Sequence, residues 1–278
     1  MRALPPARYR TPCVICTLAL ALAAPAGAAT LTGTSRGDRL TGTKRADIIR
    51  AGSGNDRVRA RAGNDRVSGS RGNDRLLGES GRDRVSGGPG RDRIDGGTGS
   101  DRLDGGTAAD RMAGASGNDR VRGRSGADVL RGGRGNDRLT SDSGDDRLFG
   151  DSGNDRLSAS TGNDDVFGGS GNDVLFAGKP GRGSAAGDDL SGQAGNDRLR
   201  GDVGNDRLDG HDGNDNVTAG RGEDDISGGA GNDRIDARDG DQDSIDCGPG
   251  EDTVLVDTVE DGVVDCENVT GPPDPPEA

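Results

Sequence analysis

An aspartate stands at every ninth position from Asp38 to Asp173, and after one longer step the run resumes at Asp188 and continues to Asp233, with two looser copies at Asp243 and Asp252. A carboxylate repeated in phase supplies hard, anionic oxygen donors at fixed intervals. That is the donor set of calcium; magnesium demands a stricter octahedron and keeps its waters, and zinc prefers nitrogen and sulfur. The chain has a single histidine, His211. All 24 in-phase aspartates carry an apolar residue two positions later, and 19 carry glycine two positions earlier. Those 19 are the candidate metal ligands: Asp56, Asp65, Asp74, Asp83, Asp92, Asp101, Asp119, Asp128, Asp137, Asp146, Asp155, Asp164, Asp173, Asp197, Asp206, Asp215, Asp224, Asp233 and Asp252. The competing reading is that each aspartate caps its own turn through local hydrogen bonds.

The elements that position these carboxylates are written into the same unit. The Gly-x-Gly-x-Asp part needs backbone angles that glycine reaches cheaply. The three residues after the aspartate alternate out, in, out, which is strand periodicity. A turn and a short strand repeated at a fixed period is the signature of a solenoid. Only Asp92, Asp101, Asp137, Asp173 and Asp233 follow a full Gly-Gly-x-Gly-x-Asp. Elsewhere the second glycine is replaced, for example by Arg61, Glu79, Arg124, Asp142, Gln193 or His211, and at Asp110 the third is replaced by Ala108. The sites are therefore expected to be unequal.

The units Gly132-Gly133-Arg134-Gly135-Asn136-Asp137-Arg138-Leu139-Thr140, Gly168–Phe176 and Gly228–Asp236 resemble the calcium-binding nonapeptide of the hemolysin-type (RTX) family. The resemblance covers roughly Leu31 to Val256. It implies an all-β, right-handed parallel β-roll in which two nonapeptides make one 18-residue coil, about 12 coils in all. It also implies that the aspartates stack in two columns, ~5 Å apart along each, with Ca2+ ions between the turns of adjacent coils and each matched aspartate serving ions on both sides. The pattern frays at its ends. Arg36 and Arg45 replace glycine before Asp38 and Asp47, as expected of an atypical first coil. The step from Asp173 to Asp188 has six extra residues within Ala177–Ala186, where a loop is expected. Beyond Asp252 the repeat gives way to Thr253-Val254-Leu255-Val256 and Val263-Val264, so residues 253–270 are expected to form a small C-terminal cap and residues 271–278, with four prolines, a disordered tail.

Composition excludes an ordinary globular core: 53 of 278 residues are glycine, aromatics are 1%, and there is no tryptophan. With 28% hydrophobic residues and a formal charge of −13, apolar burial alone should not sustain the fold. Residues 1–28 have the form of a cleavable signal peptide: Arg2, Arg8 and Arg10, an apolar run from Cys13 to Ala24 too short to span a bilayer, and Ala26-Gly27-Ala28. The expected location is thus secreted and extracellular, from a bacterial cell, with the roll at 29–252 and no membrane span in the mature chain. That chain would carry 33 basic against 49 acidic side chains, a balance that should repel nucleic acid and anionic membranes. It keeps only Cys247 and Cys266; a disulfide is expected in an oxidising compartment, two free thiols being the alternative.

Arginine follows the aspartate in most repeats and should point outward, either as a solvated face or as a basic face for an acidic cell-surface or extracellular polymer. Phe149, Phe167 and Phe176 should also face outward, Phe149 and Phe167 stacked on one wall, and His211 should be exposed. Thr34 and Thr43 begin no continuous threonine column. No H-E-x-x-H or G-x-S-x-G setting occurs, so no catalysis is expected. The sequence therefore points to a secreted calcium-binding repeat protein with a structural, adhesive or matrix role. The alternative is a secretion and folding module of the kind carried by RTX toxins and secreted proteases or lipases.

Overall fold

Because each nonapeptide spends three to six residues on a strand and the rest on a glycine turn, the chain changes direction too often for any strand to pair with its immediate neighbour. It pairs instead with the equivalent strand one coil away. The computed structural model describes residues 27–180, 186–257 and 262–271. Nearly all of the expected signal peptide, residues 181–185 of the expected loop, and the tail from 272 lie outside them. Among the described residues there is no helix. Strands alternate between a 14-stranded and a 13-stranded sheet, both wholly parallel. Within a sheet the register advances by one coil per strand: Arg93 pairs with Arg111, which pairs with Val129.

The two sheets close over a core one side chain deep. In Arg75–Ser80, Leu76 and Gly78 point inward and are buried, and the same alternation repeats along the roll. Leu76, Leu103, Leu130, Leu139 and Leu148 are 0–1% exposed. Burying one such side chain contributes ~1.5–3 kcal/mol. The second inward position of each strand holds glycine or a small residue such as Ala51, Ser141 or Ala219, which lets the sheets close tightly beside the aspartates.

The irregular steps do not break the stack. Across the six-residue insertion Asp165 pairs with Asp189 and Val174 with Arg198, so register survives a step of 24 residues. One extra residue before Asp243 is absorbed in the same way, Asp225 pairing with Ser244. The roll also runs farther than the repeat. Thr253–Leu255, Val263–Val264 and Asn268–Thr270 extend both sheets. The roll thus has about 13 turns where nonapeptide counting gives about 12, because strand pairing needs an extended backbone and not the motif. Cys247 sits fully buried in an inward position and is joined by a disulfide to Cys266.

The turns stack as closely as the strands. Gly135 has φ +123°, and a Cβ there would lie 2.0 Å from the carbonyl oxygen of Gly117 one coil earlier. The second glycine of the motif is less demanding: Arg124, Asp142 and Gln193 occupy it at φ 85°, 78° and 76°, within the left-handed region open to other residues. Gly135→Ala should therefore cost ~2–3 kcal/mol, and Gly133→Asn less, ~1–2 kcal/mol: a Cβ there would meet the Ala115 carbonyl oxygen at 2.2 Å, but the backbone can relax to the φ that the non-glycine copies of this position adopt. Urea unfolding in calcium measures both; equal costs would refute the steric ranking.

Candidate metal-binding columns

The turn geometry points every in-phase aspartate into the roll, where coil stacking aligns the carboxylates in two columns. In one column the backbone N–H of Asp56 donates to Oδ1 of Asp74 at 2.8 Å, that of Asp74 to Asp92 at 2.8 Å, and that of Asp92 to Asp110 at 2.8 Å. In the other, Asp101 donates to Asp119 and Asp119 to Asp137, both at 2.7 Å. Both columns cross the insertion intact: the N–H of Asp164 reaches Asp188 at 2.8 Å and that of Asp173 reaches Asp197 at 2.7 Å. At the C-terminal end Glu267 takes the aspartate's place, accepting from the N–H of Asp252 at 2.9 Å.

One oxygen of each carboxylate is thus spoken for, and the other is not. In 21 column aspartates Oδ2 is buried without any hydrogen-bond partner. Buried carboxylate oxygens are strongly disfavoured in that state. The first coil shows what local capping looks like. Oδ2 of Asp38 accepts from the backbone N–H of Thr34 at 2.6 Å and from its hydroxyl at 2.9 Å, and Asp47 receives equivalent bonds from Thr43. The turn-capping reading therefore describes the entry coil, and the rest of the array needs something else.

Charge shows the same need. Burial pushes the carboxyls of Asp83, Asp92, Asp119 and Asp155 up to about 7, opposed by the N–H bond from the preceding coil and reinforced by neighbouring column carboxylates. Asp137 and Asp173 reach about 6, and Asp224 about 8, with burial again the leading cause. Among the described residues no three His, Cys, Asp or Glu side chains converge on one point. An ion here would draw one or two carboxylate oxygens from a column and complete its shell with turn carbonyls. That all-oxygen mixture fits calcium. A row of orphaned, buried anionic oxygens one coil apart fits a row of divalent ions.

All 19 aspartates expected as ligands lie in these columns at 0–3% exposure. Four that lack glycine two positions earlier, Asp47, Asp110, Asp188 and Asp243, are buried there as well, while Asp38 is only half-buried. Asp110 follows Ala108, which adopts φ 78°, and its N–H still donates to Asp128 at 2.7 Å. Nine-residue phase, not glycine content, was the signal that finds them. On the outer faces Phe149 and Phe167 stack with centroids 5.1 Å apart. His211 is exposed, its Nε2 3.4 Å from Asp209.

The description "RTX calcium-binding nonapeptide repeat (4 copies)" belongs to the family whose model matches this chain, in ten stretches from residues 32–67 to 218–254 that overlap except between 179 and 182. No curated protein matches the chain. No helix among the described residues is long and apolar enough to cross a membrane.

The raised carboxyls carry a sign. Unfolded aspartate titrates near ~3.9, so between about pH 4 and the folded values near 6 to 8 the ion-free roll holds more protons than the unfolded chain, and its stability falls as pH rises. In chelator, strand circular dichroism should be strongest near ~pH 4 and decline towards ~pH 8, whereas the calcium concentration needed for folding should fall over that window as protons stop competing. A chelated chain with equal signal throughout would contradict this.

Proposed function

Since the chain belongs to the RTX calcium-binding nonapeptide-repeat family, we propose that it is a secreted protein whose roll folds as it takes up multiple Ca2+ ions, serving a structural, adhesive or matrix role without catalysis. The roll is a calcium-binding module of that family. The observation that carries the proposal is the pair of columns in which 21 buried Oδ2 atoms have no hydrogen-bond partner among the described residues. The 19 aspartates after glycine would hold the ions, together with Asp110 and Asp188, which share their columns and the same bare Oδ2. Bound calcium supplies the positive charge that removes both the orphaned oxygen and the repulsion between stacked carboxylates. With so small an aliphatic core, ion-binding free energy becomes folding free energy.

Export through residues 1–28 is part of the proposal, since extracellular calcium is abundant and the Cys247–Cys266 disulfide suits an oxidising compartment. The closing segment 253–270 would cover the C-terminal edge of both sheets, the last coil being tied down by that disulfide.

The mature chain in chelator at neutral pH should be expanded and poor in strand. Millimolar calcium, but not equal magnesium, should compact it cooperatively, as read by circular dichroism and small-angle scattering. A compact chelated form would sink the proposal. Asp137→Ala, at mid-roll, should raise the calcium midpoint several-fold, whereas Asp38→Ala, whose carboxylate Thr34 already satisfies, should barely move it. Deleting residues 253–278 should make folding less cooperative and the folded chain prone to aggregate; an unchanged midpoint and a monomeric product would show the segment to be dispensable.

A further inference from the structure

The mature chain is acidic as a whole, but its charge is segregated along the roll. Outside the aspartate columns, residues 29–156 carry 25 basic and 6 acidic side chains, whereas residues 157–278 carry 8 basic and 19 acidic. In the basic half Arg66, Arg84, Arg102, Arg120, Arg138 and Arg156 stand in direct register on six successive strands of one sheet. All six are exposed. Among the described residues none of them forms an ion pair; elsewhere on the surface Arg124 pairs with Asp104 and Arg147 with Asp165, both at 2.7 Å. Arg39, Arg57, Arg75, Arg93 and Arg111 make a second ladder on the other sheet.

The fold does not require these ladders. At the same position in the second half Asp165, Val174, Asp189, Asn216 and Asp225 interrupt the arginines, leaving only Arg198, Arg207 and Arg234, on the same architecture. Like charges stacked one strand apart, ~4.8 Å, repel each other and are destabilising. Six of them in register make a cationic strip that strand pairing in the roll does not require. A groove of about 590 Å³ runs beside the first ladder, walled by Arg84, Arg102, Arg120, Arg138 and Arg156 and floored by column aspartates of the same coils.

We propose that this groove binds a linear acidic polysaccharide, with its successive carboxylate or sulfate groups paired to successive arginines. A chain bearing one charge per sugar matches a straight row with one guanidinium per coil, and each arginine can hold a carboxylate or sulfate through two parallel hydrogen bonds. Duplex DNA advances ~3.4 Å along its axis per phosphate of a strand, and that strand winds away around the helix, out of step with a straight ladder. The groove has no aromatic platform among its lining residues for the bases of a single strand. The inference rests on the calcium reading, because the groove floor is acidic until ions occupy the columns; calcium thereby turns the groove from anionic to cationic.

The test uses the mature chain with a short heparin oligosaccharide as probe, titrated in calcium and in chelator, with folding followed in the same samples by circular dichroism. Binding should require calcium and weaken steeply with salt. Arg102→Glu/Arg120→Glu should bind about tenfold or more weakly, whereas Arg198→Glu/Arg234→Glu, at the same position in the acidic half of the same sheet, should bind as the parent does. Conservative Arg102→Lys/Arg120→Lys should recover part of the affinity. A chain that folds with calcium yet ignores the oligosaccharide would overturn the inference and leave the calcium reading standing; failure to fold with calcium would overturn both. Equal affinity for a short DNA duplex, or salt-sensitive dimerisation that competes with the probe, would reassign the ladder to nucleic acid or to the acidic half of a second copy.

Discussion

Beyond the first coil the repeat buries two aspartate carboxylates per coil, and among the described residues 21 of their second oxygens have nothing in the protein to bond. The rest of the architecture follows from this. A single buried carboxylate can be accommodated by losing its charge, and the upward pull of burial on Asp83, Asp119 and Asp224 shows the tendency. A column of them one coil apart cannot all be neutralised that way near neutral pH. A divalent ion shared between neighbours answers burial, orphaned oxygen and mutual repulsion at once. The N–H bond between successive aspartates, repeated at 2.6–2.9 Å along both columns, fixes one oxygen so that the other faces the turn.

That demand explains the economy elsewhere. The core needs only one aliphatic side chain per strand, because the roll does not depend on apolar burial alone. Glycine is concentrated where backbone meets backbone, as at Gly135 over Gly117, and relaxed where a left-handed residue suffices, as at Asp142. Insertions are tolerated where they leave the column spacing unchanged: six residues between Asp173 and Asp188 and one before Asp243 displace no carboxylate from its stack.

Charge on the outside obeys a different logic from charge on the inside. The buried aspartates are set by the fold and recur from end to end. The surface arginines are dense in the first half and sparse in the second, with the strands unchanged beneath them. Net charge averages over this segregation and so hides a cationic face on an acidic protein.

The sequence by itself determined the period, the inward residues and the donor chemistry. A nine-residue spacing that 24 aspartates keep but for two longer steps leaves only a stacked coil, and an apolar residue two positions after each, such as Leu139, has only one direction to point. Burial of the carboxylate does not follow glycine completeness, since Ala108 and Gln193 reach a left-handed φ without being glycine and Asp110 and Asp197 are buried like the rest. The sequence showed no reason to place Val263–Val264 and Asn268–Thr270 in the sheets, because strand pairing leaves no motif when side-chain chemistry no longer repeats. Only tertiary structure decided which carboxylate oxygen is bonded and which is bare, that Thr34 and Thr43 cap the first coil alone, and that six arginines 18 residues apart form a row without ion pairs, its last member Arg156 lying over the Phe176 ring. Each depends on contacts between coils, and local spacing cannot encode whether a partner one coil away is present.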